Sequence, residues 1–453
     1  MSRRDEVIAI AEILVVGAGV SGLAAAREMV DSDYDVIVLE ARDRLGGRIH
    51  SDASSFPGTV LDLGAAWIHG RDGNPLSEIA RRCKAETFHT DDDDILMYDG
   101  GSGEGMRHEE LEDAEGEFSR MLKKTEKHAD KKHADMSLHR ALVESAGAKK
   151  FRKPLIQFQL AAYLEYDFGA PANELSAWWY DDDKEYGGGD VLFPDRGYVQ
   201  LLEHISQGIR VDRNVVVESI EYQLSPTEER SRRRRGKRNG GVLIRTDCGI
   251  YKANFAVCTL PIGVLQAGDV PFHPPLPAPK MQALHRLGSG LVNKVVLLFD
   301  TCFWPEATQY FGVCHDHATP SNYSYFLNAR LFTGRNILVT VALGDHARVV
   351  ETQSNHDIQE EVMRILRLVF DANAPDPTKL LVTRWGMEKF SKGSYSYNKV
   401  AATRKDFKMA GQPVDKVLFF AGEHTNPDYR GSVHGAYLSG IRAAKEVWDH
   451  DED

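Results

Sequence analysis

Cysteine is scarce in this chain. Five occur in 453 residues (Cys83, Cys248, Cys258, Cys302 and Cys314), an odd number with no CxxC pair. That argues against a disulfide framework and a zinc site, and it fits a reducing compartment. Long apolar runs are missing too, since none approaches the ~18 residues of a membrane-crossing helix. The opening residues, Met1-Ser-Arg-Arg-Asp-Glu6, lack the apolar core of a secretory signal, and the closing Trp448-Asp-His-Asp-Glu-Asp453 cannot enter a bilayer. The expectation is a cytoplasmic protein without a membrane partner. Positive charge is in deficit. A net charge of −12 disfavours nucleic acid as the main partner and favours a cationic ligand. No internal repeat is visible.

What the chain does have is glycine in informative places. A hydrophobic content of 42% and 39 glycines suit an α/β protein. Ile13-Leu-Val-Val-Gly17-Ala-Gly19-Val-Ser-Gly22 reads as a buried parallel strand, a tight turn and the start of a helix. Gly17 allows the turn, Gly19 lets the backbone approach a pyrophosphate, and Gly22 allows close helix-on-strand packing. Val36 to Leu39 is a second buried strand, and Glu40 at its end can accept ribose hydroxyls. Strand, turn, helix, strand and acid in this order specify an adenine dinucleotide site more sharply than a glycine turn alone.

The chain is long enough for two or three domains. Residues 78–146 carry recurrent apolar positions in a charged background and read as two or three amphipathic helices. Phe151 to Leu164 reads as another helix, and Asn214 to Tyr222, Val242 to Thr246 and Ala256 to Pro261 as strands. The strands Asn293 to Phe299 and Arg335 to Leu343 flank the helix Asp357 to Phe370. Between Tyr222 and Val242, the basic run 230–238 suggests a solvated hairpin loop, with a nuclear-import or polyanion patch as the alternative. Asp91 to Asp94 and Asp181 to Asp183 are acidic runs, either solvated surface or an entry that attracts polycations. Cys314-His315-Asp316-His317 reads as a polar loop rather than a metal site, and no metal is expected.

Further motifs carry a resemblance. Arg42-Asp-Arg-Leu-Gly46-Gly47-Arg48, Leu63-Gly64-Ala65-Ala-Trp67-Ile-His69-Gly70, Gly422-Glu423-His424-Thr425 and Val433-His434-Gly435-Ala436 stand in the order found in flavin amine oxidases. The chain resembles that family from residue 13 to 448, most closely its polyamine and spermine oxidases. Its catalytic core also resembles lysine-specific histone demethylases. The resemblance implies an α/β fold with a Rossmann-like FAD domain (residues 1–75, 195–285 and 400–453) interleaved with a substrate domain of mixed sheet and helices (76–194 and 286–399). It implies FAD contacts from Gly17, Gly19, Gly22, Glu40, Arg42, Gly47, Arg48, Gly64, Ala65, Trp67, Val217, Trp385, Gly422, Glu423 and Val433.

The same resemblance implies roles at the reacting end. Lys294, a lone cation in the apolar strand Asn293 to Phe299, is placed beside the flavin. The pattern alone suggests a lysine reaching for solvent. Tyr395 is the aromatic cage residue, and Ser432 stands where a second aromatic wall is usual, which widens the site and makes it more polar. His69 is placed to hydrogen-bond an internal amine, or else to pack under the ring. Ser394 replaces the cysteine that links FAD covalently in monoamine oxidases, so noncovalent FAD is expected.

The implied activity is oxidation of a small cationic amine by oxygen, most specifically a secondary amine of a polyamine. Alternatives on the same fold are a methyl-lysine peptide demethylase and an L-amino-acid oxidase, the latter requiring an arginine clamp for its carboxylate. A non-catalytic FAD scaffold is the alternative outside enzymes. Oligomeric state is open.

Overall fold

The computed structural model describes residues 6–222, 241–315 and 322–452. The basic run 230–238 lies outside them, as do Asp316 and His317. Among the described residues no helix is long and apolar enough to cross a membrane, and no three His, Cys, Asp or Glu side chains gather as metal ligands.

One five-stranded parallel sheet organises the dinucleotide end. Its order is Arg210–Arg213, Val36–Glu40, Ile13–Val16, Phe255–Cys258 and Leu418–Phe420. The four inner and C-terminal strands are buried throughout, as their unbroken apolar sequences require. The outermost, Arg210–Arg213, is exposed at its ends and polar. Helix Val20–Asp31 leaves the first strand and packs on helix Val433–Glu452. Small residues make this approach close: a Cβ at Gly440 would stand 2.2 Å from the Ser21 carbonyl oxygen. The two ends of the chain therefore share one core.

A six-stranded mixed sheet forms the other body, in the order Lys379–Val382, Val292–Leu298, Ile337–Leu343, Asn322–Asn328, Tyr310–Cys314 and Ile95–Asp99. Helix Asn355–Val369 covers it with Ile358, Val362, Met363 and Leu366. A three-stranded sheet of Trp67–Ile68, Asp190–Leu192 and Phe88–Thr90 joins the bodies beside the cleft.

Three local expectations change. Residues 78–146 contain helices Pro75–Cys83, His108–Lys132 and Leu138–Ala146, but also the strands Phe88–Thr90 and Ile95–Asp99. The acid run Asp91 to Asp94 is the connection between them, and its charges masked two short β segments. Phe151 to Leu164 is not one helix. Pro154 starts a new segment, Pro154–Gln159, which passes into a π-helix at Leu160–Glu165. Asn214 to Tyr222 is a strand only over Val217–Glu221, because Asn214 turns the chain with φ of 57°.

Candidate active site

A cleft of about 840 Å³ runs from the parallel sheet to the mixed sheet. At its dinucleotide end Gly17 holds φ of 102°, and a Cβ there would meet Thr259 Oγ1 at 2.6 Å. Gly19 caps helix Val20–Asp31 with no side chain, and no acidic residue stands in the first turn. The positive helix end is thus left to the cleft, as a pyrophosphate requires. Glu40 is buried, with Oε2 accepting from Ala18 N at 2.8 Å and Oε1 from Arg42 N at 2.9 Å. These bonds aim a carboxylate at the ribose position while leaving lone pairs free.

The arginines divide their work. Arg42 pairs with Glu388, donates to Ser391 Oγ at 2.9 Å and lies over Phe390, so it ties the aromatic segment to the dinucleotide domain. Arg48 donates to Glu423 Oε1 and to the Ser394 carbonyl, both at 2.8 Å. Glu423 Oε2 also accepts from Gly431 N at 3.0 Å and from Ser396 N at 3.2 Å. Burial works to raise the Glu423 pKa, but the Arg48 charge and the other donors outweigh it and hold the carboxyl ionised.

Lys294 is buried, and it does not reach for solvent. Its Nζ donates to the carbonyls of Asp62 and Gly64 at 2.8 and 2.9 Å and lies 5.3 Å from the Trp67 ring. Burial lowers its pKa to about 8, against the opposing charge of Asp62. Trp385 packs beside it, with Nε1 donating to the Leu63 carbonyl at 3.2 Å. Gly64, Ala65, Trp67, Lys294, Trp385, Tyr395 and Val433 all line this end of the cleft.

Of the expected residues, Gly19, Gly47, Val217 and His69 line the cleft, whereas Gly22 and Gly422 do not. Gly22 acts in packing, since a Cβ there would lie 2.0 Å from the Gly17 carbonyl oxygen. Gly422 donates to Ser439 Oγ at 2.8 Å and takes φ of 136°, a turn that delivers Glu423. Ser432 lines the cleft, but its hydroxyl donates to the Tyr429 carbonyl at 2.8 Å and accepts from Gly435 N at 3.0 Å. It caps helix Val433–Glu452, which commits its proton and one lone pair to the backbone.

His69 lies deep in the molecule yet faces the open cleft, with 62% of its side chain accessible there. Nδ1 meets Asp190 Oδ2 at 2.6 Å, and Asp190 Oδ1 accepts from Gly70 N. Burial lowers the imidazole pKa, but the bond and charge of Asp190 outweigh it and the net shift is upward. Asp167 follows the π-helix and also lines the cleft. Burial raises its pKa to about 7, with His69 opposing and Glu185 and Asp92 reinforcing the rise. Tyr395 donates to the Tyr166 carbonyl. Tyr186 and Tyr429 stack with centroids 4.9 Å apart and planes 2° apart, and His434 stands edge-on to both.

Asp167, Asp190, Tyr166, Tyr186 and Tyr429 were not among the residues singled out from sequence. The legible signal was Gly187-Gly188-Gly189 before Asp190, where Gly188 and Gly189 hold φ of 91° and 67°. Positive φ at both lets the backbone turn sharply just ahead of the acid. Tyr166 and Asp167 had no such signal.

The glycine turn, uncapped helix, oriented acid and buried lysine fit FAD and define a flavoprotein oxidase site. The chain belongs to the flavin containing amine oxidoreductase family, whose model matches residues 20–448. It is 33% identical to probable polyamine oxidase 4 of Arabidopsis thaliana, covering 96% of this chain and 86% of that one. It is also 33% identical to lysine-specific histone demethylase 1 homolog 1 of the same plant, covering 96% of this chain but 52% of that protein. Among solved structures, putrescine oxidase bound to putrescine superposes with a TM-score of 0.76 over 97% of this chain and 99% of that one, at 19% identity.

Two outcomes follow. No cysteine lines the described cleft and Ser394 Oγ is bonded to Val292 N and O at 2.9 and 3.0 Å. Acid or heat denaturation of the yellow protein should therefore release all its FAD into the supernatant; colour retained on the precipitate would contradict this. Lys294→Met should keep FAD and the fold but slow flavin reduction or reoxidation by at least about tenfold. Stopped-flow rates unchanged in both half-reactions would make Lys294 structural only.

Proposed function

We propose that this flavin amine oxidase acts on polyamines, oxidising a secondary amine of spermine, spermidine or an acetylated polyamine. The observation that carries the proposal is the lining of the cleft away from the dinucleotide. Asp92, Asp167, Asp181, Asp183, Glu185 and Asp190 all face it. Two cations stand among them: Lys184 is paired with Asp428 at 3.1 Å, and Arg430 with Asp183 at 3.0 Å. A corridor of carboxylates suits a chain bearing several ammonium groups.

Bound FAD supplies the two-electron acceptor for a hydride from the amine α-carbon, and oxygen regenerates it with release of hydrogen peroxide. The chain's own residues bind and orient. Tyr395 and Trp385 wall the reacting carbon, and the Tyr186–Tyr429 stack gives an apolar face for methylene groups. His69, held by Asp190, meets a nitrogen of the substrate. Lys294 holds a proton near the reacting end with a pKa lowered by burial to about 8, close to neutral pH. The imine product hydrolyses to an aldehyde and a shorter amine.

Arginine placement disfavours an amino-acid oxidase. Arg42, Arg48 and Arg430 line the cleft, but they are committed to Glu388, to Glu423 and to Asp182 with Asp183. A carboxylate substrate would meet acids instead. A methyl-lysine peptide shares the cationic character of a polyamine, and the proposal separates from it on charge spacing and chain thickness.

Three measurements test it. Spermine or an acetylated polyamine should give a kcat/KM at least about ten times that of benzylamine, any amino acid or a methyl-lysine peptide, a gap of ~1.4 kcal/mol. The advantage should shrink as salt rises, because encounter is electrostatic. Between pH 6 and 8 the same kcat/KM should rise, since the Asp167 carboxyl, held up near 7, ionises and gains attraction for ammonium. Preference for the peptide, or a rate that falls over that interval, would overturn the assignment.

A further inference from the structure

Behind the reacting end lies a ring of buried hydrogen bonds whose rear members, Glu351, Asn293 and Thr383, do not line the cleft. Glu351, on helix Gly344–Thr352, is buried, and its Oε1 accepts from Gly386 N at 2.6 Å and from Asn293 Nδ2 at 3.1 Å. Asn293 is fully buried next to Lys294, and its Oδ1 accepts from Trp385 N at 2.8 Å and from Thr383 Oγ1 at 3.3 Å. Thr383 Oγ1 in turn accepts from Lys294 N at 2.8 Å. The ring closes through the cleft wall. Trp385 Nε1 holds the Leu63 carbonyl, and the adjacent Gly64 carbonyl accepts from Lys294 Nζ at 2.9 Å.

Glu351 has no ion pair among the described residues, and only neutral groups donate to its side chain. A buried carboxyl group is tolerated when it is hydrogen-bonded, and here the Gly386 amide and the Asn293 side chain supply those bonds. Space around it is tight: a Cβ at Gly386 would stand 2.6 Å from Glu351 Oε2. Carboxylate and glycine are thus matched, and the loop Arg384 to Gly386 cannot shift without moving both Asn293 and the Trp385 ring. Arg384 fixes the far side, donating to the carbonyls of Glu351 and Gln353 at 3.3 and 3.1 Å.

We infer that Glu351 is a positioning residue for Lys294: through Asn293 and the Trp385 loop it holds both the lysine backbone and the wall whose carbonyls receive the ammonium. Glu351 does not line the cleft. Its effect reaches the reaction only where Lys294 acts, which makes the inference separable from the choice of amine. The inference rests on Lys294 working at the flavin.

The test is a double-mutant cycle on the holoenzyme, using the best amine found for the wild type and following both flavin half-reactions. Glu351→Ala should slow the half-reaction that depends on Lys294 by about ten- to a hundredfold, the cost of a small misplacement, with KM changed far less than kcat. In a Lys294→Met background the same substitution should add almost nothing to that half-reaction. The absorption spectrum of bound oxidised flavin should shift in Glu351→Ala and not shift further in the double variant. Glu351→Gln keeps an oxygen that can accept both bonds and should recover most of the rate. If Glu351→Ala does not fold, Glu351→Asp, one methylene shorter, takes its place with the same expectations. Rate losses that multiply in the double variant, or a loss of melting temperature with rates and spectrum intact, would overturn the inference. An inactive role for Lys294 would overturn it as well, while leaving the amine assignment untouched.

Discussion

Everything at the reacting end depends on one buried carboxylate. Glu423, 4% exposed, joins Arg48 from the dinucleotide domain, Ser396 from the aromatic segment and Gly431 from the entry to the last helix. Arg48 and Glu423 alone are separated by 375 positions in the chain. A buried charge is tolerated only when paired and fully hydrogen-bonded, and removing one partner costs about 3–5 kcal/mol. Glu423 therefore specifies an arrangement rather than merely adding stability. Ser394 and Tyr395 flank the carbonyl that Arg48 holds, and Val433 follows the turn that Gly431 starts. The cleft wall and the helix that faces the cofactor are set by the same anion.

Charge then sorts the cleft into two ends. The dinucleotide end offers an uncapped helix, Arg42 and Arg48. The other end offers carboxylates close enough that burial and mutual repulsion push Asp167 and Asp92 upward. His69 takes up part of that field through Asp190, whose own pKa is lowered by the partnership although burial acts the other way. An incoming ammonium would relieve the same repulsion. Under the proposed polyamine reading, the electrostatic cost of crowding these acids is what a bound polycation would offset.

The dinucleotide end was legible because its physics is local. Gly17, Gly19, Glu40 and the strand patterns around them each carry a backbone requirement that shows in the residue type. Lys294 was legible as an anomaly, one cation in an apolar strand, although nothing in that strand says its partners are the carbonyls of Asp62 and Gly64. The amine end was harder. Asp167 sits just past a π-helix that periodicity reads as ordinary helix, and Tyr186 meets Tyr429 across 243 positions of chain. Residue type alone does not reveal that the Ser432 hydroxyl also serves as a helix cap. The strands Phe88–Thr90 and Ile95–Asp99 disappeared beside the acid run that connects them.

The central claim is that one cleft brings FAD and a polycationic amine together. Anaerobic mixing of purified holoenzyme with single amines tests it most directly, because flavin bleaching requires binding and hydride transfer but not oxygen. Spermine or an acetylated polyamine should bleach the flavin in a saturable, single-turnover reaction faster than monoamines, amino acids or a methyl-lysine peptide. A flavin that no polyamine bleaches, or that a peptide or amino acid bleaches faster, would contradict the account.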